Sequence, residues 1–586
     1  MPAAFHPTYM PTTPEECAAL GWSALDVILI SGDTYIDASH FGVAVIGRVL
    51  MAAGFRVGII AQPDIRDGRD ITRLGEPLLF WGVSAGSVDS MIANFTASGK
   101  RRKSDDMTPG GVNNRRPDRA VLAYSHLIRR HFKQTRPIVL GGIEASLRRI
   151  SHYDAWSDSV RRAILFDAKA DFLLYGMADD SVVTLARRLQ NGQETSSLRG
   201  LCYISRESPA PESAFDVEDI LLPAHAVAAA DKQAFADMFR LFHANADPYV
   251  ARRLIQQQDT RYLVHNPPPL PPTAATLDAV YELPYARDVH PFYKRGGDVP
   301  ALQTIRFSLT THRGCFGECR FCAIAVHQGR QVVSRTQASI LREARSIGQH
   351  SAFKGIINDV GGPTANMYAM DCDRSQSHGK CVQRSCLFPK ACRRLAPDHT
   401  PQIHLLRALR AVPGVRKVFV ASGLRYDLIL ADRTAGPAYL EELLRHHVSG
   451  QLKIAPEHIQ ESVLRIMGKP GRGDLEAFIA LFDRINRCMD RKSFLTYYFL
   501  AAHPGCTLED MHALAAYARS RLRLVPEQVQ IFTPSPATYA TLMYYTGIDP
   551  FSGNPVFVEK SLRQKTAQKM ALTDRFGAKS RTAKRR

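Results

Sequence analysis

The chain has 586 residues, 45% of them hydrophobic and 22% charged, which excludes a disordered protein and predicts two or three cored domains. Its formal net charge is +19, and the stretch from Glu559 to Arg586 carries ten Lys/Arg against two Asp/Glu, so much of the excess sits in a tail able to contact nucleic acid or acidic surfaces. The apolar stretches break well short of the roughly 18 residues that cross a bilayer, and MPAAFHPTYMPTTPEE has neither the basic start nor the apolar run of an export signal; no membrane partner and a cytoplasmic location are expected.

From Leu25 the sequence alternates strand and helix patterns. Asp26 to Ser31 (DVILIS) reads as a buried strand, Val43 to Ala53 as a helix and Arg56 to Ala61 as a second strand; Leu78 to Gly86, Pro137 to Ser146 and Ala170 to Asp179 repeat the pattern. Strands that alternate with helices and end in Gly predict an open parallel, Rossmann-like sheet. Ligands of such sheets sit beyond the strand carboxyl ends, where Ser84, Gly86, Gly141, Gly142 and Gly176 fall. Residues 101–116 read as an exposed excursion and 205–223 as a linker. Helical patterns follow at Lys232 to Phe242 and Tyr249 to Gln258, and HNPPPLPPTAAT, from His265 to Thr276, reads as a rigid connector.

A second half begins near Ile305. Ile305 to Thr310 alternates as a strand does, and later candidates are Lys354 to Asn358, Arg416 to Ala421, Gln451 to Ala455, Phe494 to Leu500 and Gln528 to Phe532, separated by helical patterns. Six strands alternating with helices predict a partial (β/α)6 barrel, whose chemistry would sit on the loops after each strand. The expected organisation is thus an amino-terminal domain over 1–225, a helical and Pro-rich connector over 226–304, a barrel over 305–550 with an insertion at 366–400, and a basic flexible tail over 551–586.

The first barrel loop, RGCFGECRFC, places Cys315, Cys319 and Cys322 in a CxxxCxxC spacing. With 11 Cys in the chain, that spacing arises by chance only about 0.004 times. A zinc knuckle completed by His312 or His327, or buried cysteines acting as small hydrophobes, are the bland alternatives. Three closely spaced thiolates point instead to a cubane cluster with one iron open.

The motif, with Phe321 before its last cysteine, resembles the radical S-adenosylmethionine superfamily. The longer runs RGCFGECRFCAIAVHQGR, NDVGGPTANMY, SCLFPKAC, SGLRYDL and QLKIAPEH are similar to the YgiQ-type (UPF0313) subfamily. The resemblance implies a 4Fe-4S cluster on Cys315, Cys319 and Cys322, S-adenosylmethionine bound at its open iron, a 5'-deoxyadenosyl radical and a one-electron donor of flavodoxin or ferredoxin type; substrate and catalytic residues stay undefined. Candidate cofactor contacts are Phe321, Gly361, Gly362, Ser422, Arg425 and Glu457. Where the superfamily carries a Gly-Gly-Glu motif, Pro363 replaces the Glu, so Asp359 or Thr364 is the candidate acceptor for the cofactor's amino group. Lys453, His458 and His503 also follow barrel strands. The front region resembles a cobalamin-binding-like domain, but Asp37, His40 and Gly42 in DASHFG depart from that family's Asp-x-His-x-x-Gly spacing, so cobalamin is not expected.

Cys372, Cys381, Cys386 and Cys392 form a second group in a Gly-, Lys- and Arg-rich segment with little apolar content. Such a segment has few means of ordering itself without a metal, and the group is a candidate second metal or cluster site; free or redox-active thiols are the alternative. Two other functions remain open at this stage, an RNA- or protein-modifying radical enzyme related to methylthiotransferases, and a non-catalytic iron-sulfur redox sensor or nucleic-acid-binding protein.

Overall fold

The front sheet is built from strands whose two faces are both covered. In β1 (Val27–Ser31), Ile28 and Ile30 enter one apolar core while Val27 and Leu29 enter another. In β2 (Val57–Ala61) and β3 (Phe80–Ser84) the residues divide the same way, which is why these segments read as continuous apolar runs. The computed structural model describes residues 7–209, 215, 218–381, 384–527 and 529–573. In it β4 (Ile138–Leu140), β5 (Phe172–Leu174), β6 (Leu201–Ser205), β7 (Ile220–Leu222), β8 (Leu254–Gln258) and β9 (Arg261–His265) complete a nine-stranded sheet of order β7-β8-β9-β6-β5-β4-β3-β1-β2. From β2 to β5 neighbouring strands are parallel, and β6 turns the direction.

Two expectations for this half are corrected. Tyr249 to Gln258 is not a helix, because Leu254 to Gln258 pairs with Arg261 to His265 through a hairpin whose turn residue Asp259 takes φ 56°. The buried Gln256 and Gln258 side chains accept hydrogen bonds from the Ser151 and Ala163 amides, so pairing and polar satisfaction override the local helical pattern. The sheet therefore runs on past residue 225 into the expected connector. The excursion at 101–116 is only partly exposed. Its last residue, Arg116, is buried and reaches back to Asp33 at 2.6 Å, Asp105 at 3.0 Å and the Ala85 carbonyl at 2.7 Å.

The second half is the expected partial barrel. Beginning with β10 (Leu309–Thr310), which pairs in parallel with β12 (Val360–Gly361), the strands follow chain order. β11 (Ile356–Ile357) pairs with β13 (Lys417–Val418), Leu424 bridges Ile454 in β14 (Gln451–Glu457), and β15 (Phe494–Ala501) and β16 (Val529–Ile531) close the series, all parallel. Residue 528, the expected start of the last strand, lies outside the described residues. Helices Gln337–Gly348, Thr400–Arg410, Gly436–Glu442, Arg472–Arg487 and Leu508–Tyr517 separate the strands. The first strand is shorter than its alternating pattern suggests: Leu302–Ile305 forms a helical turn, with the Ile305 amide on the Ala301 carbonyl, and pairing starts only at Leu309.

The tail also departs from expectation. Leu562–Thr573 is a helix packed against Leu508–Tyr517 and β16. Leu572 and Gln568 are buried, and the Gln568 side chain accepts from the Ala502 amide at 2.8 Å and donates to the Cys506 carbonyl at 3.1 Å. Lys565 donates to the Tyr544 hydroxyl at 2.8 Å. These residues share one helical face, a spacing hidden among Lys, Arg and Gln. Residues 574–586 lie outside the described residues. No helix among the described residues is long and apolar enough to cross a membrane. Leu572→Ala should lower stability by about 2–4 kcal/mol in urea melts; an unchanged midpoint would show that the helix contributes nothing to the fold.

Candidate functional site

Everything unusual in the barrel gathers around the loop after β10. A short hairpin, His312–Arg313 with Val333–Ser334, delivers the chain to Gly314. Only glycine fits there: φ is +81°, and a Cβ would stand 1.7 Å from the Gln331 carbonyl oxygen. Next, Phe316 is fully buried among Val332, Met367, Met370, Leu387, Leu395 and Leu428. The Arg320 amide donates to the Met467 carbonyl at 3.0 Å and the Cys322 amide to the Cys319 carbonyl at 2.9 Å. The loop is held by its backbone and by Phe316, which leaves Cys315, Cys319 and Cys322 half-buried.

The thiols have distinct surroundings. Cys315 Sγ lies 3.5 Å from Thr364 Oγ1 and accepts from the Gly317 amide at 3.4 Å, and Cys319 Sγ accepts from Arg425 Nη1 at 3.2 Å. Burial pushes the Cys315 thiol up, and Cys322 to about 12, so a bound cation would be what makes these groups anionic. Among the described residues no three His, Cys, Asp or Glu side chains converge on a single ion. A cubane asks for no such convergence, since each cysteine binds a different iron.

Gly361 and Gly362 end β12 beside this loop. A Cβ on Gly362 would meet His312 Nε2 at 2.5 Å, and that nitrogen is buried without a hydrogen-bond partner among the described residues. Burial lowers the His312 ring to about 4, which keeps it neutral. Phe321 stacks edge-on against the His503 ring at 5.8 Å, and His503 Nε2 is likewise buried and unpartnered. At the end of β14, Glu457 adopts φ +69° where the register with β15 shifts. Its charge acts on Cys322. Burial, the largest effect, pushes its carboxyl up to about 7, with the nearby charges of Lys469 and Arg425 opposing.

Several expected contacts are committed elsewhere. Ser422 donates its hydroxyl to Asp359, and Asp359 also accepts from the Ala421 amide at 2.8 Å and the Ser422 amide at 3.2 Å. These bonds tie the ends of two neighbouring barrel strands together. Arg425 makes a two-bond pair with Asp427, at 2.8 and 2.6 Å, and spends its remaining nitrogen on Cys319, so it faces a sulfur rather than a free ligand position. His458 is buried, with Nδ1 accepting from the Gln460 amide at 3.0 Å. Cys372, Cys381, Cys386 and Cys392 line one small cavity in the insertion.

Sequence reasoning missed three residues. His312 appeared only as a zinc alternative, and its orphan nitrogen becomes visible only in three dimensions. Arg313 sends Nη1 to Asp179 of the front domain at 2.7 Å and Nε to the Tyr281 hydroxyl at 3.1 Å; its place immediately before the cysteine motif was the available signal. Lys469 follows a helix rather than a strand, and nothing in its sequence neighbourhood marks it.

A Radical SAM N-terminal family model matches residues 9–308 and a Radical SAM superfamily model matches residues 309–518. Among curated proteins, a UPF0313 protein of Fusobacterium nucleatum is 52% identical over 97% of this chain and 99% of its own length. Another from Methanocella arvoryzae is 47% identical over 96% and 92%. Among solved structures, the radical S-adenosylmethionine methyltransferase TsrM from Kitasatospora setae, with cobalamin and a [4Fe-4S] cluster bound, aligns over 94% of this chain and 91% of its own at 16% identity and TM-score 0.48. The radical enzyme OxsB with aqua-cobalamin and S-adenosylmethionine aligns over 91% and 57% at 12% identity and TM-score 0.47. Both of those proteins were solved with cobalamin; the expectation against that cofactor here is withdrawn, because it rested on one shifted spacing in DASHFG alone.

Glu457 yields a prediction for the metal-free chain. A carboxyl whose folded pKa of about 7 lies above its ordinary 4.5 binds its proton more tightly folded than unfolded, so stability falls as pH rises between those values. Glu457→Gln should therefore be more stable than wild type by about 1–3 kcal/mol at pH 8, and the gap should close near pH 4 in urea melts. A gap that ignores pH would remove the buried carboxyl as its source.

Proposed function

The chain belongs to the UPF0313 family within the radical SAM superfamily, and from that membership we propose an enzyme that holds one 4Fe-4S cluster through Cys315, Cys319 and Cys322 and binds S-adenosylmethionine beside it. The observation that supports this most is the pairing of three half-buried thiols on one pinned loop with a half-buried carboxyl, Glu457, whose charge acts on Cys322 and on which Arg425 acts in turn. A carboxylate kept from water is costly, and a cationic ligand group would offset that cost.

When bound, the cluster and its cofactor supply one electron and a 5'-deoxyadenosyl radical. The chain's own residues bind and orient. Arg425, held rigid by Asp427, keeps a positive N–H on the Cys319 sulfur. The Gly361–Gly362 backbone offers close approach where the superfamily's Glu is replaced by Pro363, and Glu457 takes over as acceptor for the cofactor's amino or ribose groups. Phe321, braced by His503, walls the cluster from solvent and so protects a radical from quenching. A one-electron donor of flavodoxin or ferredoxin type and a cytoplasmic setting complete the proposal; all eleven cysteines are free thiols, as a reducing compartment requires.

After anaerobic reconstitution with iron and sulfide, wild type given dithionite and S-adenosylmethionine should release 5'-deoxyadenosine by mass spectrometry, and Cys319→Ala should release none. A fully iron-loaded wild type that forms none would overturn the radical assignment and favour a redox sensor.

A further inference from the structure

We propose that Cys372, Cys381, Cys386 and Cys392 hold a second iron-sulfur cluster, seated in the insertion directly behind the radical loop. The proposal stands on the geometry of the insertion and does not depend on the chemistry of the first cluster.

The four thiols come from separate parts of the insertion yet line one cavity, together with Lys380 and Arg394. All four are half-buried. The segment that carries them has little else to order it. Between Asp371 and Asp398 its buried apolar side chains among the described residues are Leu387 and Leu395, and its hydrogen bonds are mostly short-range, such as Ser375 Oγ to Asp371 at 2.7 Å and Cys392 amide to Cys386 carbonyl at 2.8 Å. A stretch this polar closes around a small volume when a metal centre cross-links it.

Charge supports an anionic occupant. The Lys380 ammonium is buried and paired with Asp371 at 2.8 Å. Arg374 Nη1 lies 3.4 Å from Cys381 Sγ. Cationic groups among cysteines suit thiolates that carry a net negative centre. Among the described residues no three of these side chains converge on one ion, whereas a single zinc requires four sulfurs about 2.3 Å from one point. A cubane with one cysteine on each iron keeps its sulfurs apart.

Position gives the centre a task. Cys386 and Cys392 pack on the same apolar cluster as Cys315 and Phe316. Glu318 of the radical loop pairs with Arg330 at 2.6 Å, and Arg330 Nη2 donates to the Cys381 carbonyl at 2.9 Å. The second cluster would thus fix the surface on which the first cluster's loop rests.

The test uses the full chain with Cys315→Ala, Cys319→Ala and Cys322→Ala combined, reconstituted anaerobically and read by iron and sulfide analysis and Mössbauer spectroscopy. About half of the wild-type iron, as one cubane's signature, is expected to remain. Adding Cys381→Ala and Cys386→Ala should remove it. A triple variant that is folded by circular dichroism yet holds no iron, one that holds zinc instead, or iron that survives the added replacements would each overturn the proposal. Because the triple variant leaves the insertion intact, the result does not hinge on whether insertion variants fold. Wild type that keeps both clusters but makes no 5'-deoxyadenosine would sink the radical reading and leave this one standing.

Discussion

The three-sided clamp on the cysteine loop is the constraint on which the rest depends. On one side Arg313 forms a largely buried pair with Asp179 of the front domain. On the second, Phe316 fills the apolar cluster of the insertion. On the third, the Arg320 backbone bonds the Met467 carbonyl while its guanidinium lies 3.6 Å over the Phe551 ring. Removing one partner of a buried pair such as Arg313–Asp179 costs about 3–5 kcal/mol, so the front domain is part of the loop's support. The helix Ile324–Gln328 that follows the cysteines packs on Gly142–Leu147 at the carboxyl end of β4, with His327 Nδ1 3.0 Å from Ser146 Oγ. A loop fixed in this way presents its thiols without paying for their order when a ligand arrives.

What could be read from the sequence follows the same physics. Strands covered on both faces, such as DVILIS and VGIIA, announce themselves as apolar runs, and CxxxCxxC needs no tertiary information. The failures lie where long-range contact decides. Leu254 to Gln258 carries good helix formers, but the partner strand and the amides of Ser151 and Ala163 settle it as β. The tail helix hides its packed face because Lys565 and Gln568 contact the barrel through polar atoms. The Asp359 to Thr364 segment reads as a ligand platform in sequence, yet Val360–Gly361 is barrel strand and Asp359 is bonded across to Ala421 and Ser422.

The loop ends of the barrel hold polar groups of two kinds, and the difference separates architecture from function. His399 is buried with both ring nitrogens engaged, Nδ1 with Asp432 at 2.8 Å and Nε2 with Asn366 at 3.2 Å. Glu343 is buried between Arg287 and Arg335 and takes a further hydrogen bond from Ser39, which ties the DASHFG segment to the barrel. Groups satisfied to this degree explain themselves as structure. Around the cysteine loop the pattern inverts. His312 Nε2 and His503 Nε2 have no partner among the described residues, and Glu457 keeps a strained φ and a destabilised carboxylate whose charge acts on Cys322. Each such group costs free energy on its own. Buried atoms without a partner occur elsewhere too, for example Tyr124 Oη and Arg335 Nε, so it is their company with three thiols on one loop that marks this place as a site.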